Sequence, residues 1–255
     1  MRNAVNDQAA WTLRGNVAHL SCGKLSGCID ASRPHAGLHD VAFAGAQHAM
    51  DLLRVYRSDI TDEKLWPLSL AESYVRGNDL VASYQATDSW PFSPQLYWRA
   101  NSLHAVDGVL ASASLLVSVQ THLLDTVPQI AVASRVLANE ALLVSASVGA
   151  KSRTAPIDLS QTIPAANEDC CIVRRFEDVA LSYVEIMQAG DFHAASLRTE
   201  GNGAAFEWRL FAEFLEKGVI RRARVHAALV PRDNDVEIAA ACCKAIDGLE
   251  LPLTT

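Results

Sequence analysis

The chain has 255 residues, of which half are apolar and 20% are charged, a balance typical of globular proteins that excludes a disordered chain. A net charge of −7 argues against a nucleic-acid-binding protein, because phosphate binding needs a concentrated basic face. The sequence opens without a signal-peptide pattern, and no apolar run reaches the roughly 18 to 20 residues that cross a bilayer. These features predict a cytoplasmic protein with no membrane or nucleic-acid partner.

Six cysteines occur as Cys22, Cys28 and two adjacent pairs, 170–171 and 242–243. Adjacent cysteines rarely form a disulfide, because a normal bridge needs a Cα separation and Cβ directions that a trans dipeptide does not supply. Neither pair has Cys-x-x-Cys spacing. We therefore expect free thiols in a reducing compartment, with no metal and no cofactor.

The N-terminal segment predicts mainly strands. Short apolar runs divided by glycines favour strands over 16–21, 25–29 and 39–44. Between 46 and 56 the apolar residues recur at helical spacing, which is compatible with a short helix.

A first set of five strands is predicted downstream, over 70–75, 80–86, 95–103, 109–122 and 129–136. The connection at 87–94 contains two prolines and two aromatic residues, which stiffen it. The apolar run 115–124 indicates a strand that is buried on both faces.

A second set of five strands follows a predicted linker at 147–168, over 180–187, 192–199, 206–214, 219–230 and 236–245. Residues 206–214 alternate apolar and charged side chains, the period of a strand with one wet face. In 219–230, Arg222, Arg224 and His226 share one face. We interpret the short basic run 221–224 as an exposed strand edge, and both His193 and His226 as surface or pairing histidines.

The two sets resemble each other. Trp98-Arg99 in the first corresponds to Trp208-Arg209 in the second, and each pair precedes a glycine ten positions after its tryptophan. We therefore predict an internal duplication, with a seam built from equivalent strands of the two halves.

The predicted fold class is all-β and mainly antiparallel, with two structurally similar halves that form a pseudo-twofold sandwich or one extended shared sheet. The first half, 1–146, includes the N-terminal strands, 147–168 is the linker, and 169–255 is the second half. The long apolar strand at 115–124 favours the shared sheet.

A candidate ligand site is predicted around the stiff loop, because carboxylates and aromatic rings together are a common composition for carbohydrate binding. An arginine could hold a ligand carboxylate. The predicted ligand-binding residues are Asp88, Trp90, Tyr97, Trp98, Arg99 and His193. A competing interpretation makes Trp98 and Trp208 core residues and pairs each neighbouring arginine with a strand acid, such as Glu207 for Arg209.

The predicted function is binding of a carbohydrate or other polar small ligand, or a scaffold role, because no catalytic motif is found. A homo-oligomer is compatible with this role. The alternative is an enzyme that acts on a carbohydrate or related small molecule through carboxylates on a concave sheet face, using Asp79, Asp88, Arg99 or His193.

Overall fold

The computed structural model describes residues 10–59, 67–145, 153–159, 161–164, 170–211 and 213–247. Most of these residues lie in antiparallel strands, which confirms the predicted fold class. The strands are β1 (Trp11–Arg14), β2 (Val17–Cys22), β3 (Leu25–Asp30), β4 (His39–Phe43), β5 (Ala46–Gln47), β6 (Met50–Arg57), β7 (Leu70–Arg76), β8 (Asp79–Tyr84), β9 (Phe92–Ala100), β10 (Ala111–Thr121), β11 (Ile130–Val136), β12 (Ala138–Ser145), β13 (Arg153–Pro156), β14 (Thr162–Pro164), β15 (Cys170–Phe176), β16 (Leu181–Met187), β17 (Ala194–Glu200), β18 (Gly203–Leu210) and β19 (Ile220–Pro231). One α-helix in the described part, α1 (Asp235–Ile246), follows β19.

Three sheets make up the molecule. An N-terminal sheet has the order β1-β2-β3-β4-β5, a nine-stranded sheet has the order β13-β12-β15-β16-β19-β10-β9-β8-β7, and a second five-stranded sheet has the order β14-β17-β18-β11-β6. One hydrophobic core contains buried side chains from all three sheets. The nine-stranded and second five-stranded sheets therefore pack as a sandwich, with the N-terminal sheet against the same core.

The helix expected at 46–56 is wrong, because this segment forms β5 and β6. In β6, Val55 and Tyr56 are both buried although they point to opposite faces. A strand with two buried faces has a nearly continuous apolar sequence, whose spacing cannot be distinguished from that of a buried helix.

The nine-stranded sheet contains strands from both sides of 147–168, so the predicted shared sheet is confirmed. The two predicted halves meet where β10 pairs antiparallel with β19. Leu115 lies opposite Val225 at the centre of this pairing, and these residues are 110 positions apart, the spacing between the two similar sequence segments. We call this pairing the seam.

The internal duplication is not confirmed. In the first segment, β7, β8 and β9 follow β10 across one sheet. In the second, only β16 and β19 lie in that sheet, whereas β17 and β18 belong to the opposite sheet, where β18 pairs with β11. The matched sequences thus adopt different topologies.

The strand predicted at 236–245 is also wrong, because this segment is most of α1. Its alanines favour a helix, and its buried residues Ala239, Cys242, Cys243 and Ile246 follow the spacing of one helix face. This face covers part of the outer surface of the nine-stranded sheet. No helix in the described residues is long and apolar enough to span a membrane.

A buried ion pair connects the two sheets of the sandwich. Arg174 on β15 and Glu185 on β16 are almost completely buried, and Nη2 of Arg174 lies 3.3 Å from Oε2 of Glu185. Nη1 of Arg174 donates hydrogen bonds across the core to the carbonyl oxygens of Ser134 at 2.8 Å and of Ala204 at 3.3 Å. These two acceptors belong to β11 and β18, so one guanidinium holds both sheets.

Hydroxyl groups complete the coordination of the buried carboxylate. Ser134 Oγ accepts a hydrogen bond from the backbone N–H of Leu53 at 2.9 Å and donates to Oε1 of Glu185. Tyr183 OH also lies 3.0 Å from that oxygen, and its ring packs 5.0 Å from the Arg174 guanidinium. Burial raises the pKa of Glu185, and the Arg174 charge and the hydroxyl hydrogen bonds oppose that rise.

Removing one member of this pair should strongly destabilise the fold. We expect Glu185→Gln to lower the free energy of unfolding by about 3 to 5 kcal/mol, because it leaves the Arg174 charge buried without a counter-ion. The double variant Arg174→Met with Glu185→Leu should recover most of this loss, since two apolar groups need no counter-ion.

The measurement is denaturant unfolding followed by circular dichroism. Glu213→Gln is the matched control, because it removes an exposed partner of Arg221 and should cost less than about 1 kcal/mol. A loss in Glu185→Gln as small as that of the control would show that the pair does not hold the sheets together.

Candidate functional site

The predicted ligand-binding residues do not form one cluster. Tyr97 and Arg99 lie on the outer face of the nine-stranded sheet, because side chains alternate along β9 and its other residues point into the core. Trp98 and Trp90 are buried in that core, with exposures of 1% and 2%. The prediction that Trp90 and Trp98 contact a ligand is therefore corrected, since these two indoles lie inside the sandwich.

Hydrogen bonds and ring contacts hold both tryptophans in place. Trp90 Nε1 donates to the carbonyl oxygen of Pro128 at 2.9 Å, and its ring packs 5.6 Å from the Arg57 guanidinium. Trp98 Nε1 lies 3.4 Å from the carbonyl oxygen of Leu53. The packing interpretation of the Trp-Arg repeat fits this arrangement, because Trp208 is also buried and Arg209 pairs with Glu207 at 2.8 Å.

Asp88 and His193 lie apart from Tyr97 and Arg99. Asp88 is exposed in the turn that leads into Trp90. His193 precedes β17, and its backbone N–H donates to the carbonyl oxygen of Arg209 in the opposite sheet. Burial and the Arg209 charge lower the pKa of His193. The ligand-binding roles of these two residues remain predictions.

The outer face of the nine-stranded sheet has a covered part and an open part. Helix α1 packs on the part formed by β12, β15 and β16 and on the end of β19 at Ala228 and Val230. Outer-face residues of β8, β9, β10 and the first half of β19 have no helix over them in the described chain. The open part follows the seam.

We call this open part the seam trough. Register places His226 opposite Ser114, Ser114 opposite Arg99, and Arg99 opposite Asp79 in one row across four strands. The next row contains Arg224, Leu116, Tyr97 and Val81, and a third contains Arg222, Ser118, Gln95 and Ser83. Small serines on β10 thus form a floor between larger side chains on β9 and β19, which lie about 10 Å apart.

An oriented arginine forms one wall of the trough. Arg99 Nε and Nη2 donate to the two carboxylate oxygens of Asp79 at 2.7 Å and 2.8 Å. The hydrogen bond with Asp79 raises the pKa of Arg99. Because the Arg99 side chain is still 51% exposed, its remaining N–H groups can reach a ligand.

The opposite wall carries Arg224, whose guanidinium forms no ion pair or hydrogen bond among the described residues. Its backbone N–H donates to Asp191 at 3.0 Å. Burial and the positive charge of Arg99 lower the pKa of Arg224, and the negative charges of Asp191 and Asp79 oppose this shift. Two guanidinium groups therefore repel each other across the trough.

Arg222, Arg224 and His226 were not among the predicted site residues. Their shared face was visible in the alternation of 219–230, but the basic run was interpreted as an exposed edge. The structure places β19 between β16 and β10, and only its first residues, before Val225, extend past β16. That segment includes the whole basic run 221–224, so the edge prediction holds on the β16 side, whereas the other side pairs with β10.

His226 is buried, which corrects its interpretation as a surface or pairing histidine. Its exposure is 3%, and Nδ1 has no hydrogen-bond partner among the described residues. Burial, together with the nearby Arg224 charge, lowers its pKa to about 3. The imidazole is therefore neutral near pH 7, and its ring nitrogens can exchange hydrogen bonds with a polar ligand.

Polar side chains continue to one end of the trough. Tyr97 OH donates to Oε1 of Gln95 at 2.9 Å, and Nε2 of Gln95 donates to Ser83 Oγ at 3.2 Å. Gln95, Ser83, Ser118 and Ile220 line a cavity of about 120 Å³ at this end. Its size suits one substituent of a ligand rather than a whole small molecule.

The outer face of the opposite sheet also carries charges, but they compensate one another. Tyr56 OH donates to Glu207 at 2.7 Å and accepts from Arg198 at 2.9 Å, and Arg54 donates to Glu200 at 2.6 Å. The positive and negative groups on this face compensate one another, so this surface gives less reason to expect a ligand than the trough does. No cluster of three or more potential metal-ligating side chains occurs in the part of the chain that the structure describes.

No family model and no curated protein matches the chain. Among solved structures, a proposed aldose 1-epimerase from Klebsiella pneumoniae is similar, with a TM-score of 0.52 and 10% identity over 91% of this chain and 83% of that chain. A galactose mutarotase-like protein from Lactobacillus casei gives a TM-score of 0.49 and 10% identity over 84% of this chain and 99% of that chain. The first similarity shows that this chain has the β-sandwich fold of aldose-epimerase-like proteins.

The buried histidine predicts a pH-dependent stability. The folded pKa of about 3 is below the unfolded value of 6.5, so the unfolded chain binds the proton first. The contribution of His226 to stability is therefore fully present above about pH 6.5 and is lost as the pH falls toward 3. Between these values the free energy of unfolding should fall by about 1.4 kcal/mol per pH unit because of this one group.

The measurement is the free energy of unfolding between pH 4 and 6.5, compared between the wild type and His226→Asn. The variant should show a shallower slope, since it lacks the titrating ring. Parallel slopes in the two proteins would mean that His226 titrates normally.

Proposed function

We propose that the seam trough binds a carbohydrate that carries an acidic group, such as a carboxylate or a phosphate. The observation that carries this proposal is the half-buried Arg224 guanidinium, which forms no ion pair within the described residues, has Asp191 and Asp79 as its nearby acids, and faces a second arginine across the floor. An anion between Arg224 and Arg99 would relieve their repulsion and give Arg224 a direct ion pair.

The negative net charge of the chain makes this local arrangement informative. Most acids of the protein lie elsewhere, whereas the trough contains Arg99, Arg222 and Arg224 against Asp79 and Asp191. A basic groove with low-dielectric walls focuses its field on an anionic ligand. Because Asp79 already holds Arg99 with both oxygens, it orients the arginine rather than opposing the ligand.

The rest of the trough suits the hydroxyl groups of a sugar. Gln95, Tyr97, Ser118 and His226 provide both donors and acceptors, and Leu116 with Val81 adds a small apolar surface beside Tyr97. A site of a few placed polar groups on an apolar support is typical of small-molecule recognition. The aldose 1-epimerase name of the Klebsiella protein supports a carbohydrate as the ligand.

Catalysis on the same sheet face is the alternative. It would require a carboxylate that is available for proton transfer, and Asp79 would be its nearest candidate in the trough. The two hydrogen bonds from Arg99 to Asp79 favour the binding role, because they occupy both carboxylate oxygens. Conversion of a bound sugar by the purified protein would favour the enzyme instead.

A cytoplasmic location and the absence of nucleic-acid and membrane partners are part of the proposal. The described cysteines are all free thiols, which suits a reducing compartment. A homo-oligomer is compatible with the same site, and gel filtration with light scattering would determine the oligomeric state.

Removing the Arg224 charge should weaken binding of acidic sugars. By isothermal titration calorimetry, D-glucuronate or D-glucose 6-phosphate should bind at least about tenfold more tightly than D-glucose, because only the acids supply a counter-charge. Arg224→Gln should cost the better acidic ligand about 1.5 to 3 kcal/mol, the range of a hydrogen bond to a charged group.

Arg33→Gln is the matched control, because Arg33 is an exposed arginine between β3 and β4, outside the trough. Its affinity should equal that of the wild type. Equal binding of glucose and glucuronate, or unchanged binding in Arg224→Gln, would refute the role of the trough in acid recognition.

A further inference from the structure

A second cavity lies away from the seam trough. It has a volume of about 420 Å³ and is formed between the start of β12, the segment after β13 and the β17–β18 hairpin. None of its lining residues belongs to the trough. This volume falls within the range of small-molecule sites, roughly 300 to 1,000 Å³.

The buried arginine of the sandwich core lines this cavity. Arg174 uses Nη1 and Nη2 for the carbonyl oxygens and for Glu185, but its Nε–H has no partner among the described residues. The side chain is only 1% exposed, so bulk water does not satisfy that donor. Buried N–H groups in native proteins almost always have a partner, so this donor is an exception among the described residues.

The two charged side chains that line the cavity, Arg174 and Glu140, already have partners, although Glu140 shares Arg175 with Asp235. Glu185 compensates Arg174, and Glu140 at the cavity wall pairs with Arg175 at 3.0 Å. A charged ligand would therefore meet no free counter-charge among the described lining residues. An uncharged ligand suits the cavity, in contrast to the acidic ligand proposed for the trough.

The remaining wall offers neutral hydrogen-bonding groups on a fixed hairpin. Asn139, Thr199 and Asn202 line the cavity and are exposed at its mouth. Gly203 lies so close to the end of β11 that a Cβ atom would stand 3.1 Å from the Val136 carbonyl oxygen. This close approach fixes the hairpin against the sheet and keeps the cavity wall in place.

We propose that this cavity is a second ligand site, which binds a neutral polyhydroxylated molecule of about one sugar ring through the side chains of Asn139, Thr199 and Asn202. The site is independent of the trough in residues and in ligand charge.

The test is a titration of ¹⁵N-labelled protein with methyl α-D-glucopyranoside, a neutral probe, and separately with D-glucuronate. The neutral sugar should shift the amide signals of 139–140 and 199–204, and glucuronate should shift those of 95–99 and 222–226. Thr199→Trp, which fills the mouth from an exposed position, should weaken the neutral sugar at least tenfold. Asn202→Ala should weaken it about threefold to tenfold.

Arg224→Gln separates the two proposals, because it should leave methyl glucoside binding unchanged while it weakens glucuronate. Circular dichroism melting curves confirm that each variant is folded. No shift at 139–140 and 199–204, or unchanged binding in Thr199→Trp, would overturn the second site even if glucuronate binds the trough. Failure of glucuronate to bind the wild-type protein, with methyl glucoside still bound, would overturn only the proposed function.

Discussion

The antiparallel pairing of β10 with β19 is the interaction on which the rest of the structure depends. It joins strands from distant parts of the sequence into one nine-stranded sheet and sets the register that brings Ser114 opposite both His226 and Arg99. A shift by one residue would turn the outer-face arginines into the core. The inner face of the same strands supplies Leu115 and Val225 to the hydrophobic core, so burial fixes the register that forms the trough.

The two faces of this sheet have different roles because different elements cover them. On the inner face, the Arg174–Glu185 pair and its hydroxyl partners connect the sheet to β11 and β18. On the outer face, α1 covers only the strands beyond the middle of β19. The trough is therefore the part of the sheet that neither the opposite sheet nor the helix covers, and its arginines keep access to a ligand.

The sequence predicted the all-β class and the shared sheet, because alternation and long apolar strands are local signals of both. It failed where a local signal conflicted with the apparent repeat. Ala239 to Ile246 has helical composition and spacing, but the apparent repeat favoured a strand at 236–245. The likeness of the two segments reflects shared packing residues such as Trp98 and Trp208, which occupy opposite sheets.

The candidate site was predicted only in part. Tyr97 and Arg99 were predicted as ligand-binding residues and lie in the trough. Trp90 was also predicted, because it lies in the stiff loop, but its indole is in the core. Arg224 was missed because a sequence does not reveal whether a basic strand lies at an edge or beside a partner. The charges around the Arg224 guanidinium come from β9, β19 and the loop before β17, and only the fold brings these elements together.

A crystal structure of the protein with D-glucose 6-phosphate would show whether the seam trough binds an acidic sugar. We expect ligand density over Ser114 and Leu116, with the phosphate between the guanidinium groups of Arg99 and Arg224. Ligand density elsewhere on the molecule, with the two guanidinium groups unchanged and the trough occupied only by water, would contradict this expectation.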